Sequence, residues 1–94
     1  MAISKIPKHP SIFSHQEWKK ICRSLNLSAR QEQIVTLLLE GHKTFNAARV
    51  LGISPDTVRA HLRRLYLKLE ISDRLELMTC CVREFRRLYD KPNP

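Results

Sequence analysis

KTFNAARVLGISPDTVRAHLRRLYLKL, residues 43–69, holds two helical patterns interrupted by a single glycine. The interruption is Leu51-Gly52-Ile53-Ser54. Gly52 suits the position just past a helix end, where the backbone turns left-handed and a Cβ is costly. Ser54 suits an N-cap, its hydroxyl accepting from an N–H of the following turn. Pro55 then falls at the first helical position, where its missing N–H costs nothing. A helix that stops at Gly52 and restarts after Ser54 has the spacing of a helix-turn-helix. In the second helix Val58, Leu62, Leu65 and Leu69 share one narrow arc. Asp56, Ala60, Arg63, Arg64 and Leu67 share the opposite one, with Arg59 and Lys68 on the flanks. An apolar stripe and a presented basic face are thus separated on one helix.

The same helical period runs outward in both directions. Ser14-His15-Gln16-Glu17 is a capping box, followed by Trp18, Ile21, Cys22 and Leu25 on one amphipathic face. Ser28-Ala29-Arg30-Gln31 is a second capping box, and the helix it opens runs from about Ala29 to Glu40 before Gly41 ends it. Its Ile34, Val35, Leu37, Leu38 and Leu39 supply most of the core. A third helix covers Phe45 to Leu51, the fourth Pro55 to Leu69. Ser72-Asp73 caps a fifth helix that runs to about Tyr89. That last helix has two apolar stripes. Leu75, Met78, Val82, Phe85 and Tyr89 are assigned to the core, which leaves Leu77, Cys81 and Leu88 as a partner surface. The fold class is therefore all-α. Residues 1–13, with Pro7, Pro10, two lysines and a histidine, read as a flexible arm; 14–90 is the folded domain; 91–94 is a flexible tail.

Composition narrows function. Ninety-four residues make one small domain. Seventeen Lys and Arg against nine Asp and Glu give a net charge of +8, which favours a polyanion as partner. No apolar run approaches the roughly 20 residues of a membrane span, and MAISKIPKHPSIFS has no apolar segment with a small-residue cleavage site. A cytoplasmic, nucleoid-associated chain with reduced cysteines is expected. Cys22, Cys80 and Cys81 lack metal-ligand spacing and read as small hydrophobes. No carboxylate pair, Cys/His pair or glycine-rich phosphate loop points to an enzyme, and no cofactor is expected.

The series Leu27-Ser28-x-Arg30-Gln31-x-x-Ile34-Val35, Leu38, Gly41, Ala48-x-x-Leu51-Gly52-Ile53-Ser54-x-x-Thr57-Val58-Arg59-x-His61-Leu62, Lys68-Leu69-x-Ile71-x-x-Arg74-x-Glu76-Leu77 resembles the LuxR/FixJ-type helix-turn-helix. That is the DNA-binding domain of many bacterial transcription regulators. The resemblance implies a four-helix bundle, here with one added N-terminal amphipathic helix, and a helix-turn-helix over 44–69. It implies that residues 55–69 enter the major groove of double-stranded DNA with Arg59, Ala60 and Arg63 facing bases. An arginine fork can pair with guanine O6 and N7, and an alanine methyl can meet a thymine methyl. Ser54 and Thr57, at a helix start, are candidates to hold phosphate; so are the cations Lys43, Arg64, Lys68 and Arg74. The family's last helix commonly forms the homodimer contact, which agrees with a surface of Leu77, Cys81 and Leu88 on residues 73–89. Two copies would then read an inverted repeat. RNA polymerase or another regulator are further partners that such a domain can meet.

The sequence departs from the family at four positions. Lys43 and Asn46 stand where the family has a serine cap and its glutamate, and Thr44 is expected to cap instead. Ala47 stands where the family has isoleucine, a lost side chain worth about 2 kcal/mol unless Phe45 refills the space. Glu70 stands where the family has glycine, so the turn into the last helix lacks an easy left-handed residue. Two other readings compete. One is region 4 of a sigma factor, which would carry a polymerase-binding region as well. The other is an interaction module that has left DNA and sequesters another regulator, a reading that exposed Leu67 allows and the set Arg59, Arg63, Arg64 and Lys68 opposes.

Overall fold

The computed structural model describes residues 6–90; the tail expected at 91–94 and the first five residues of the expected arm lie outside that range. Five helices follow one another: α1 (His15–Ser24), α2 (Ala29–Leu39), α3 (Thr44–Leu51), α4 (Pro55–Leu69) and α5 (Arg74–Tyr89). Both capping boxes form. Ser14 Oγ accepts from Glu17 N–H at 3.2 Å while the Glu17 carboxylate accepts from Ser14 N–H at 2.8 Å. Ser28 and Gln31 repeat the exchange at 3.1 and 2.9 Å. Each box satisfies two donors that a helix start otherwise leaves open.

The start of α3 differs from expectation. Thr44 is the first helical residue, not the cap; Lys43 occupies the cap and makes no side-chain cap bond. A lysine has no acceptor to offer, and a missing cap costs on the order of 1 kcal/mol. Packing holds the helix instead: α3 lies against α4 and α2, with Ala47 and Ala48 fully buried at the crossing. Phe45 does not refill the space beside Ala47. It stands 60% exposed, with the Arg49 guanidinium 5.4 Å from its ring centre.

The core joins all five helices. Trp18, Ile21 and Cys22 come from α1, Ile34, Val35 and Leu38 from α2, Ala48 from α3, and Val58, Leu62 and Leu65 from α4. Trp18 Nε1 donates to Thr36 Oγ1 at 2.9 Å, and Thr36 donates onward to Glu32 O, so the buried indole N–H is satisfied.

The arm packs where it joins α1, as expected for Phe13 but not for Ile12, which is exposed. Pro10 and Phe13 are buried, and Phe13 lies between Trp18 and Phe85, with ring centres 5.8 and 5.3 Å away. Ser11 N–H and Oγ both donate to the Glu40 carboxylate. Those hydrogen bonds hold the Glu40 carboxyl below its ordinary range.

The two stripes of α5 are only partly as expected: Met78 and Phe85 pack against the core as assigned, but Leu75 and Val82 do not. Leu77 and Cys81 are wholly buried in the core, and Leu88 packs half-buried against it. Leu75 is 73% exposed and Val82 40%. The cause is α1, which packs against α5. Two adjacent apolar arcs look alike in sequence, and the neighbour that arrives decides which is interior. Leu77 and Cys81 therefore belong to the core and not to a dimer surface. Burial pushes the Cys81 thiol up to about 12 and raises Cys22 as well, so both behave as packing groups. The turn before α5 is made by Glu70 itself in the left-handed region, φ 58° and ψ 45°, a strain glycine would avoid.

Candidate nucleic-acid interface

The site is built by the turn between α3 and α4. Gly52 closes α3 at φ 68°, and Ile53 N–H returns to Ala48 O at 3.0 Å. Ser54 Oγ accepts from Thr57 N–H at 3.1 Å and lies 2.9 Å from Thr57 Oγ1. Pro55 opens α4 as expected. The inward face of α4 holds Val58, Leu62 and Leu65, all buried. This anchors the helix against α2 and α3 and turns the opposite face outward.

On that outward face Arg59, Arg63, Arg64, Leu67 and Lys68 are exposed and Ala60 is half-buried. Arg59 is not free: its Nη1 donates to Asp56 Oδ1 at 2.7 Å. Arg63, Arg64 and Lys43 make no ion pair among the described residues. An exposed cation without an internal partner keeps its charge for a ligand. Arg59, Arg63 and Leu67 also border a shallow groove of about 440 Å³, closed on its other side by Thr44, Ile71 and Ser72.

Two candidates have internal work. Lys68 Nζ donates to Asn26 O at 2.5 Å and reaches Gln31 Oε1 at 3.3 Å, tying α4 to the connector before α2. Arg74 donates to Leu38 O, satisfying a carbonyl at the end of α2. Neither acceptor is close in sequence, so neither bond could be read there. One bond from Arg74 and two from Lys68 leave N–H donors on both side chains, so these internal bonds position the two cations without removing them from the phosphate set. Sequence reasoning also passed over Asp56 as a partner of Arg59, though a carboxylate three residues before an arginine on one helix is the signal for that pair. Among the described residues no group of acidic, histidine and cysteine side chains can hold a metal, and no helix is long and apolar enough to cross a membrane.

Comparison with known proteins bears on this geometry. Residues 25–81 match the family described as bacterial regulatory proteins, luxR family. Over 51 residues the chain is 45% identical to YhjB of Escherichia coli, whose name classes it provisionally as an HTH-type transcriptional regulator. That alignment covers 54% of this chain and 26% of YhjB. It is 40% identical over 53 residues to the monoamine regulon transcriptional regulator of Klebsiella aerogenes, covering 56% of this chain and 23% of that one. Similarity to the HTH-type transcriptional regulator MalT of Vibrio campbellii is 30% over 74 residues, 79% of this chain and 8% of MalT. The chain thus matches about a quarter or less of the length of these relatives. No solved structure matches it.

Proposed function

The chain belongs to the luxR family of bacterial regulatory proteins, and we propose that it reads double-stranded DNA by laying α4 in the major groove. DNA binding as a transcription-regulator domain is what that membership implies. The finer reading is carried by one observation: α4 buries Val58, Leu62 and Leu65 while Arg59, Arg63 and Arg64 stand outward on one surface.

Arg59 and Arg63 are one helical turn apart, about 6 Å of rise, and reach successive base pairs. Ala60, half-buried between them, is short enough to let the helix approach and to meet a thymine methyl. Ser54 and Thr57 with the amide groups of the first turn hold one phosphate, and Lys43 and Arg64 neutralise others. These contacts position the helix, and the base contacts select the sequence.

Two copies on an inverted repeat complete the reading. The exposed face of α5 is a shallow groove of about 430 Å³ lined by Leu75, Met78, Thr79, Val82, Arg83 and Arg86. Glu70 and Glu76 flank its beginning, and Arg83 lies toward its end without an ion pair among the described residues. An antiparallel pair of α5 helices would bring each acidic end onto the partner's arginine while covering both Leu75 side chains. Linking two half-site contacts raises affinity without any new contact.

The test is a titration of labelled duplex DNA over a salt series. Binding that weakens steeply as salt rises supports the reading, because counterions are released from the phosphates that Lys43 and Arg64 neutralise. Absence of binding at low salt, or affinity indifferent to salt, overturns it.

A further inference from the structure

Asp56 is the only acidic residue among the fifteen of α4. It sits in the first turn, four residues before Ala60 and seven before Arg63, hence on the same face as both. Its side chain is 93% exposed. A carboxylate on a surface turned toward phosphates is electrostatically unfavourable. An acidic residue near a helix N-terminus does help the helix, but that benefit is available at other first-turn positions and needs no particular face. The structure gives Asp56 a specific neighbour: its Oδ1 accepts from Arg59 Nη1 at 2.7 Å. Its second oxygen has no hydrogen-bond partner among the described residues.

We infer that Asp56 is a positioning residue that sets the sequence specificity of the α4 interface by holding Arg59 and by facing the base edges itself. This rests on the DNA-binding reading above. Three consequences follow from the chemistry. An arginine tethered to its own helix has fewer rotamers to lose when its fork meets guanine, and four of its five N–H donors remain free. The same tether keeps Arg59 from swinging to a phosphate when the base is wrong, so a mismatched site loses the contact and gains no substitute. The open carboxylate oxygen accepts from an exocyclic amino group, cytosine N4 or adenine N6, on a pair next to that guanine. Where no amino group is present, the charge faces carbonyl oxygens and repels. Discrimination thus comes from a repulsive element as well as an attractive one.

The experiment measures affinity for two duplexes by fluorescence anisotropy: the one recovered by selection from random-sequence DNA with the wild-type chain, and an unrelated duplex of equal length. Asp56→Asn is expected to bind the unrelated duplex several-fold more tightly, having lost a repulsive charge, while its ratio of selected to unrelated affinity falls roughly tenfold. Asp56→Glu, which keeps the charge and can still reach Arg59, should retain most of the ratio. In Arg59→Ala the further change Asp56→Ala should reduce the ratio far less than it does alone, because the two act as a unit. Thermal melting by circular dichroism confirms that each variant is folded. An Asp56→Asn variant that changes both affinities by one common factor, or neither, overturns the inference and leaves the DNA-binding reading standing. A wild-type chain that prefers no duplex over any other overturns both.

Discussion

Phe13 stacks against Trp18 with ring centres 5.8 Å apart and planes 7° from parallel. Both residues precede the segment 25–81 that matches the family, so the core of this chain extends beyond that segment. Phe13 also touches Phe85 of α5, and Phe85 stacks in turn on Tyr89 at 5.0 Å. The segment before α1 is thereby a wedge between α1 and the end of α5. Phe13→Ala should lower stability by about 2–4 kcal/mol, since a large buried ring leaves a space its neighbours can only partly close. Urea unfolding followed by Trp18 fluorescence measures it. A loss below about 0.5 kcal/mol would return this segment to the free arm that its prolines suggest.

The contact between Ser11 and Glu40 gives a pH dependence. Hydrogen bonds from the Ser11 hydroxyl, then from its N–H, hold the Glu40 carboxyl below its ordinary value of 4.5. A depressed folded-state value means that the carboxylate form favours folding. The contribution is fully present above the unfolded value and fades as pH falls through the folded one. Ser11→Ala should therefore cost stability at pH 7, with the deficit shrinking as the pH is lowered below 4.5. Denaturation curves at pH 7 and pH 3 test this, with Glu40→Gln as the variant in which the pH-dependent part is absent. A deficit equal at both pH values would show that the carboxylate is not involved.

What could be read in the sequence was local. Ser14 with Glu17, Ser28 with Gln31, and the run Gly52-Ile53-Ser54-Pro55 encode their structure within four residues, because a side chain meets the backbone of its own turn. The inward set of α4 was equally clear, since Val58, Leu62 and Leu65 form one arc facing one neighbour. What failed was long-range. Lys68 and Arg74 each bond a carbonyl, of Asn26 and Leu38, whose proximity only the folded chain reveals. Whether Phe45 refills the space beside Ala47 depends on the α3 crossing, where Ala47 and Ala48 are buried and Phe45 stays outside. The pair Asp56 and Arg59 is legible in the sequence, as a carboxylate three residues before an arginine on one helix.

The exchange of Leu75 and Leu77 between surface and core has opposite consequences for two leucines only two residues apart. Leu77 is 0% exposed, so Leu77→Glu buries a carboxylate without a partner and should unfold the domain, costing more than about 4 kcal/mol. Leu75 is 73% exposed, so Leu75→Glu should leave the melting temperature within a few degrees of wild type. If α5 joins two copies through its exposed face, the same change puts a charge where the contact covers an apolar side chain and yields monomers. Circular dichroism melts and sedimentation velocity read the two effects separately. A folded Leu77→Glu monomer would restore the opposite assignment of the helix.

Arg63 and Arg64 are adjacent, both exposed and both without an ion pair among the described residues, yet they should behave differently. Arg63 lies on the same face as Asp56 and Ala60, which the proposed docking turns toward the floor of the groove; Arg64 is about 100° further round the helix, which that docking turns toward a phosphate strand. Arg63→Ala should cost roughly 1–3 kcal/mol on the selected duplex and little on an unrelated one, because a base-edge contact carries sequence information. Arg64→Ala should weaken both duplexes alike and reduce the slope of log affinity against log salt by about one, because one fewer counterion is released. The comparison needs only the two duplexes and a salt series. Equal losses on both duplexes for Arg63→Ala would make it a phosphate contact, and the base-reading face of α4 would then have to be centred nearer Arg59.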